Sequence, residues 1–153
     1  MDPRQKLYED ISATIKEHMP IVAHVGLWNE DVTFVEQDAP WSRPAVFVEF
    51  GDIEWERVKA TDFGKCVRGR GDIRLHVVTD WTDDSGYTAA FKIIEDMWMA
   101  LEQIPDDSTQ EEAKPKNVSS YSVSYPTMTQ TSHNHEGLLE NIETFQVRYL
   151  KMW

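Results

Sequence analysis

Ala45-Val46-Phe47-Val48-Glu49-Phe50 is β-branched and aromatic almost throughout, with a single carboxylate, Glu49, to mark a wetter face. Such a run reads as a strand, because these side chains pack well on a pleated, half-buried surface. Beyond Gly51 and Asp52, Ile53 and Trp55 alternate with Glu54 and Glu56, which predicts a hairpin partner or a continuation past a bulge. Ile73-Arg74-Leu75-His76-Val77-Val78 repeats the pattern, with Ile73, Leu75 and Val77 on one side. Strands with an apolar side need a second layer to bury it, and two stretches of helical period supply one.

In the first, Leu7, Tyr8, Ile11, Ile15 and Met19 recur at spacings of three and four, with Pro3 suited to the first turn and Pro20 as the stop. In the second, Tyr87, Ala90, Phe91, Ile94, Met97, Trp98, Leu101 and Ile104 keep helical spacing up to Pro105, with Asp84 or Ser85 as the N-cap. The shared apolar periodicities predict that this helix, centred on residues 91–98 with Trp98 buried, lies across a sheet containing Val46, Val48, Leu75 and Val147.

The remaining segments follow from turn chemistry and alternation. Residues 21–28 alternate irregularly, residues 32–35 read as a weak strand, and residues 39–44, with two prolines, read as an extended connection. Glycine and arginine make residues 61–71 a loop. Residues 106–116 contain no large apolar side chain and read as a mobile loop. Tyr121, Val123 and Tyr125 alternate with serines in a half-exposed strand, residues 127–141 are a polar excursion, and Phe145, Val147, Tyr149 and Trp153 mark a closing strand. The expected architecture is one α+β domain over residues 1–153, with a mainly antiparallel sheet, a leading helix and a long helix packed across the sheet.

Composition limits the function. The 153 residues carry 27 acidic against 15 Lys and Arg side chains, a formal charge of −12, which argues against a protein that grips phosphate backbones. Cys66 is the only cysteine, so no internal disulfide forms. No apolar run approaches the roughly 20 residues of a membrane span. The first six residues lack the apolar region of a signal peptide, which makes a reducing cytoplasm the expected compartment.

Few residue sets suggest chemistry. His133 and His135, with Glu136 or Glu140, are a candidate for a transition metal, since alternate residues of an extended segment point to one side; two imidazoles without a third ligand at a known spacing more simply form a solvated loop. Asp80, Asp83 and Asp84 suit a helix start better than a hard-cation loop, whose glycine and bidentate glutamate are missing. Cys66 beside Lys65 has no histidine and acid at a recognisable spacing, and His76 in mid-strand reads as a paired core-edge histidine. Arg70-Gly71-Asp72 spells an adhesion tripeptide by coincidence in a cytosolic chain. Nucleophile-elbow and phosphate-loop patterns are absent. No catalytic residue, cofactor site or metal site is therefore assigned. Lys65, Arg68, Arg70 and Arg74 form the only basic cluster, and on so acidic a chain it reads as a docking patch for an acidic neighbour.

The order of elements, with the phrases Pro20-Ile21-Val22-Ala23-His24-Val25-Gly26-Leu27-Trp28-Asn29 and Pro44-Ala45-Val46-Phe47-Val48-Glu49-Phe50 between the two helices, resembles the tail-terminator, or tail-completion, proteins of long-tailed bacteriophages and prophages. The resemblance implies a non-enzymatic protein without cofactor. It implies assembly as a homo-oligomeric ring, commonly a hexamer, on the tail tube, contact with the head connector, and passage of DNA that is not gripped, with no membrane partner. It implies assembly in the bacterial host cytoplasm and residence in the virion tail. The extra Trp41 and Trp55 and the acidic loop 106–116 depart from that pattern. A metal-assisted hydrolase or nuclease using His133 and His135, and a monomeric adaptor that binds a peptide along a sheet edge, are the alternatives from other classes.

Overall fold

Alternation on the strands and 3.6-residue periodicity on the helices converge on one apolar layer. The structure is a computed structural model describing residues 2–28, 41–58, 65–81, 86–104, 119–135 and 137–152. In chain order these form α1 (Pro3–His18), β1 (His24–Leu27), β2 (Ala45–Arg57), β3 (Cys66–Asp80), α2 (Gly86–Leu101), β4 (Ser120–His135) and β5 (Leu138–Met152). The fold is α+β. Its five-stranded sheet has the order β1-β2-β3-β5-β4, antiparallel except for the β1–β2 pair.

Asp2 caps α1 by accepting the Arg4 backbone N–H at 2.9 Å, Pro3 occupies the first turn, and the helix ends before Pro20. Leu7, Ile11 and Ile15 on α1 join Ile93, Ile94, Met97 and Leu101 on α2 over Val46, Val48, Ile73, Leu75, Val77, Phe145 and Val147 of the sheet. Both helices thus cover one face. Tyr121 Oη on β4 donates to Asp10 on α1, and Lys151 Nζ on β5 reaches Asp2 at 3.0 Å, so the first helix is also tied to the far strands.

Several expectations change. Of the two readings of the run after Gly51, the continuation holds, with β2 running on past a register shift between Phe50 and Ile53, and the hairpin partner falls. Residues 66–71, expected in a loop, belong to β3. Glycine lowers strand propensity, but at Gly69 it makes room: an added Cβ would stand 2.7 Å from the Trp55 ring of the neighbouring strand. The polar excursion over 127–141 is instead the tip of a long hairpin, β4 turning into β5 at Gly137, whose φ of 93° suits glycine. Serine and threonine are compatible with an edge strand that keeps one side in water.

Trp98 is not buried. Trp98, Phe91 and Tyr87 are 38%, 50% and 43% exposed, while Ala90, Ile93, Met97 and Ala100 face the sheet. The apolar arc of α2 is wider than the face the sheet can cover, and the small Ala90 and Ala100 let the helix settle with its aromatic flank outside. The expected strand 32–35, the caps Asp84 and Ser85, the loop 106–116 and the terminal Trp153 lie outside the described residues. Among the described residues, no helix is long and apolar enough to cross a membrane.

Candidate functional site

With both helices on one face, the opposite face of the sheet is set by the alternate residues of each strand. On β3 these are Arg68, Arg70, Arg74 and His76; on β2, Phe47, Glu49, Glu54 and Glu56; on β5, Glu140 and Arg148. No helix among the described residues packs on this side. The face divides into two sectors.

The sector beside β1 is closed by aromatic rings. Phe47 lies under Trp41 and Trp28, with ring centroids 4.9 and 6.0 Å away, and Trp28 stacks on the imidazole of His76 at 3.8 Å and 3°. His76 is buried. Its Nδ1 stands 2.7 Å from Glu140 Oε1, whereas Nε2 makes no hydrogen bond and lies 3.7 Å from Glu49 Oε1. Glu49 Oε1 accepts instead from Arg74 Nη1 at 2.6 Å. The chain Arg74, Glu49, His76, Glu140 staples β2, β3 and β5 together under a tryptophan lid. The stacked Trp28 ring covers one face of the imidazole and Glu140 stands at Nδ1, in line with the paired core-edge reading.

The other sector is open. A groove of about 610 Å³ runs past Glu54, Glu56, Arg68, Arg70, Ser122 and Arg148. Arg70 faces Arg148 directly across the β3–β5 pair, Ser122 stands beyond Arg148 on β4, and Glu54 stands beyond Arg70 on β2. All three arginines are exposed, and none makes an ion pair with a described residue, although Glu54 and Glu56 share their register rows. Like charges directly opposite on a sheet repel. An arriving carboxylate can accept two parallel N–H donors from a guanidinium, so the row is suited to an acidic group that no described residue delivers.

Of the docking patch expected from sequence, the structure brings Arg68 and Arg70 together and leaves Lys65 exposed one residue before the strand begins. Arg74 departs, because its guanidinium is committed to Glu49. Arg148 joins the row; it lies between Val147 and Tyr149 on the last strand, and no local pattern sets it against Arg70. His133 and His135 fall on the backbone of β4, opposite residues close to Leu138 and Leu139, and their side chains and Glu136 lie outside the described residues. Among the described residues, no three His, Cys, Asp or Glu side chains converge as metal ligands.

Burial shifts two groups on the helical side. Glu143 is buried; desolvation raises its carboxyl above the ordinary range, opposed by hydrogen bonds donated by Thr129 Oγ1 at 2.6 Å and by the Trp98 indole. Tyr149, beneath Trp55, has its phenol pushed up by burial. The chain matches no protein-family model and no curated protein.

Proposed function

We propose that the protein is a structural tail-terminator of a long-tailed phage or prophage, a non-enzymatic subunit that forms a ring, commonly of six copies, closing the tail tube and meeting the head connector. It assembles in the bacterial cytoplasm and remains in the virion tail. The observation that carries this reading is the open sheet face, with arginines in register that make no ion pair among the described residues, on a chain of net charge −12. A face of this kind suits another protein subunit better than a small substrate, because it is broad, shallow and without a polar centre that excludes water. Six copies bring together roughly 72 formal negative charges, so a surrounding ring repels DNA and lets it pass.

Native mass spectrometry of the purified chain, alone and with a tail-tube protein, tests the reading. A closed oligomer, in solution or on the tube, is the expected result. A monomer at every concentration and salt, with and without the tube protein, overturns it in favour of the adaptor.

A further inference from the structure

The molecule has two surfaces whose charged groups make no ion pair with a described residue, and they complement one another. One is the row Arg68, Arg70 and Arg148. The other is the uncovered flank of α2. At 100° per residue, Tyr87, Phe91 and Trp98 fall within a stripe 40° wide, and Glu95 and Glu102 lie one turn along from Phe91 and Trp98 on the same side. Trp81 extends the stripe, its ring edge-on to Tyr87 at 5.0 Å, and Tyr87 stacks on Phe91 at 5.8 Å. Glu95 and Glu102 are exposed and make no ion pair with a described residue.

Guanidinium groups pair with carboxylates and stack on aromatic faces, so each surface carries what the other needs. The spacing also agrees. Glu95 and Glu102, the latter just past the helix end with its N–H on the Trp98 carbonyl, are about 10 Å apart along the helix axis, and Arg68 and Arg148, one strand and two residues apart, are about 8 Å apart at the backbone. Within one chain they cannot meet, because α2 lies on one face of the sheet and the arginines point from the other.

We infer that the arginine row of one copy receives the acidic, aromatic flank of α2 from a second copy, head to tail. This rests on the self-assembly proposed above and names its contact. Such a contact joins different patches on the two partners, and repetition closes into a ring or runs on as a filament. A phosphate backbone fits the row less well than a helix edge does, because Glu54, Glu56 and Asp72 share that face and repel a continuous line of charge.

Two charge-reversed variants test the contact, Arg70→Glu with Arg148→Glu and Glu95→Arg with Glu102→Arg, followed by sedimentation velocity alone and mixed. Each alone is expected to raise the concentration for half-assembly at least tenfold, and an equimolar mixture to recover assembly, since the reversed faces then suit one another. Recovery also establishes that both variants are folded. Phe91→Ser is expected to weaken assembly without touching any charge. If the wild type assembles and the helix variant assembles equally well, or if the mixture shows no recovery, the contact is wrong while the ring stands. If the arginine variant loses affinity for duplex DNA and keeps its assembly, the row serves nucleic acid and the inference falls. A wild type that never assembles overturns both readings.

Discussion

Arg70 on β3 and Arg148 on β5 stand directly opposite one another in the antiparallel register, with no ionic partner among the described residues. Their repulsion in the isolated chain is worth about 0.2–1 kcal/mol. Arg148→Gln is therefore expected to stabilise the monomer by that amount in urea denaturation at low salt. The gain should fade as salt shortens the reach of the repulsion to about 3 Å at 1 M. A variant less stable than the wild type at low salt would show that a carboxylate already holds Arg148.

Gly69 lies close against Trp55, and a Cβ added there would stand 2.7 Å from the ring. Gly69→Ala is expected to cost about 1–3 kcal/mol as an overpacking change, measured by chemical denaturation. In a Trp55→Ala background the same substitution should be nearly neutral, so the double-mutant cycle should return a coupling of similar size. Equal costs in both backgrounds would place the strain elsewhere, at Ile53 or in the backbone.

These two pairs also separate what sequence could reach from what it could not. The strand at Ala45 and the first helix were legible because local period and local burial agree there: Leu7, Ile11 and Ile15 are all fully buried. The second helix was legible as a helix but not in its rotation, since an arc running from Ile93 to Phe91 has more apolar side chains than one sheet can cover. Residues 66–71 were misread because glycine signals a turn locally, while the reason for Gly69 is a ring on another strand. The arginine row was half visible for the same cause. Arg68 and Arg70 are neighbours in sequence, but Arg148 joins them only through a register that no local pattern carries, and the Glu49 contact that removes Arg74 is likewise a pairing between strands.

Asp2 caps α1 and also receives the side chains of Arg4 and Lys151. The Arg4 side-chain hydrogen bond, helped by the Arg4 backbone N–H and Lys151, holds its carboxyl well below the ordinary range against the opposing effect of burial. A depressed folded value means stability that is present above the unfolded value near 3.9 and is lost as pH falls below it. Asp2→Asn preserves the cap and removes the charge. The variant should be less stable than the wild type at neutral pH, and the gap should close as pH falls from about 4. A gap unchanged down to pH 2 would mean that the charge contributes nothing.

Glu143 poses the opposite case. Its carboxyl is buried beneath α2 and raised above the ordinary range chiefly by desolvation, and Oε1 makes no hydrogen bond while Oε2 accepts from Thr129. A raised folded value means that its contribution is intact below the unfolded value near 4.3 and is lost as pH rises through the folded one. Glu143→Gln keeps the shape and an oxygen for Thr129 Oγ1 and the Trp98 indole, and it removes the charge that burial penalises. The stability difference, variant minus wild type, should therefore be constant below about pH 4, grow in favour of glutamine as pH rises beyond that, and level off once the wild-type carboxyl is ionised. Denaturation curves at several pH values read this directly. Asn141, buried two residues earlier on the same face of β5 with neither amide atom hydrogen-bonded, makes a useful control. Asn141→Leu should shift stability by the same amount at every pH, since that amide does not titrate. A glutamine variant that loses ground as pH rises would mean that its hydrogen bonds outweigh burial at Glu143.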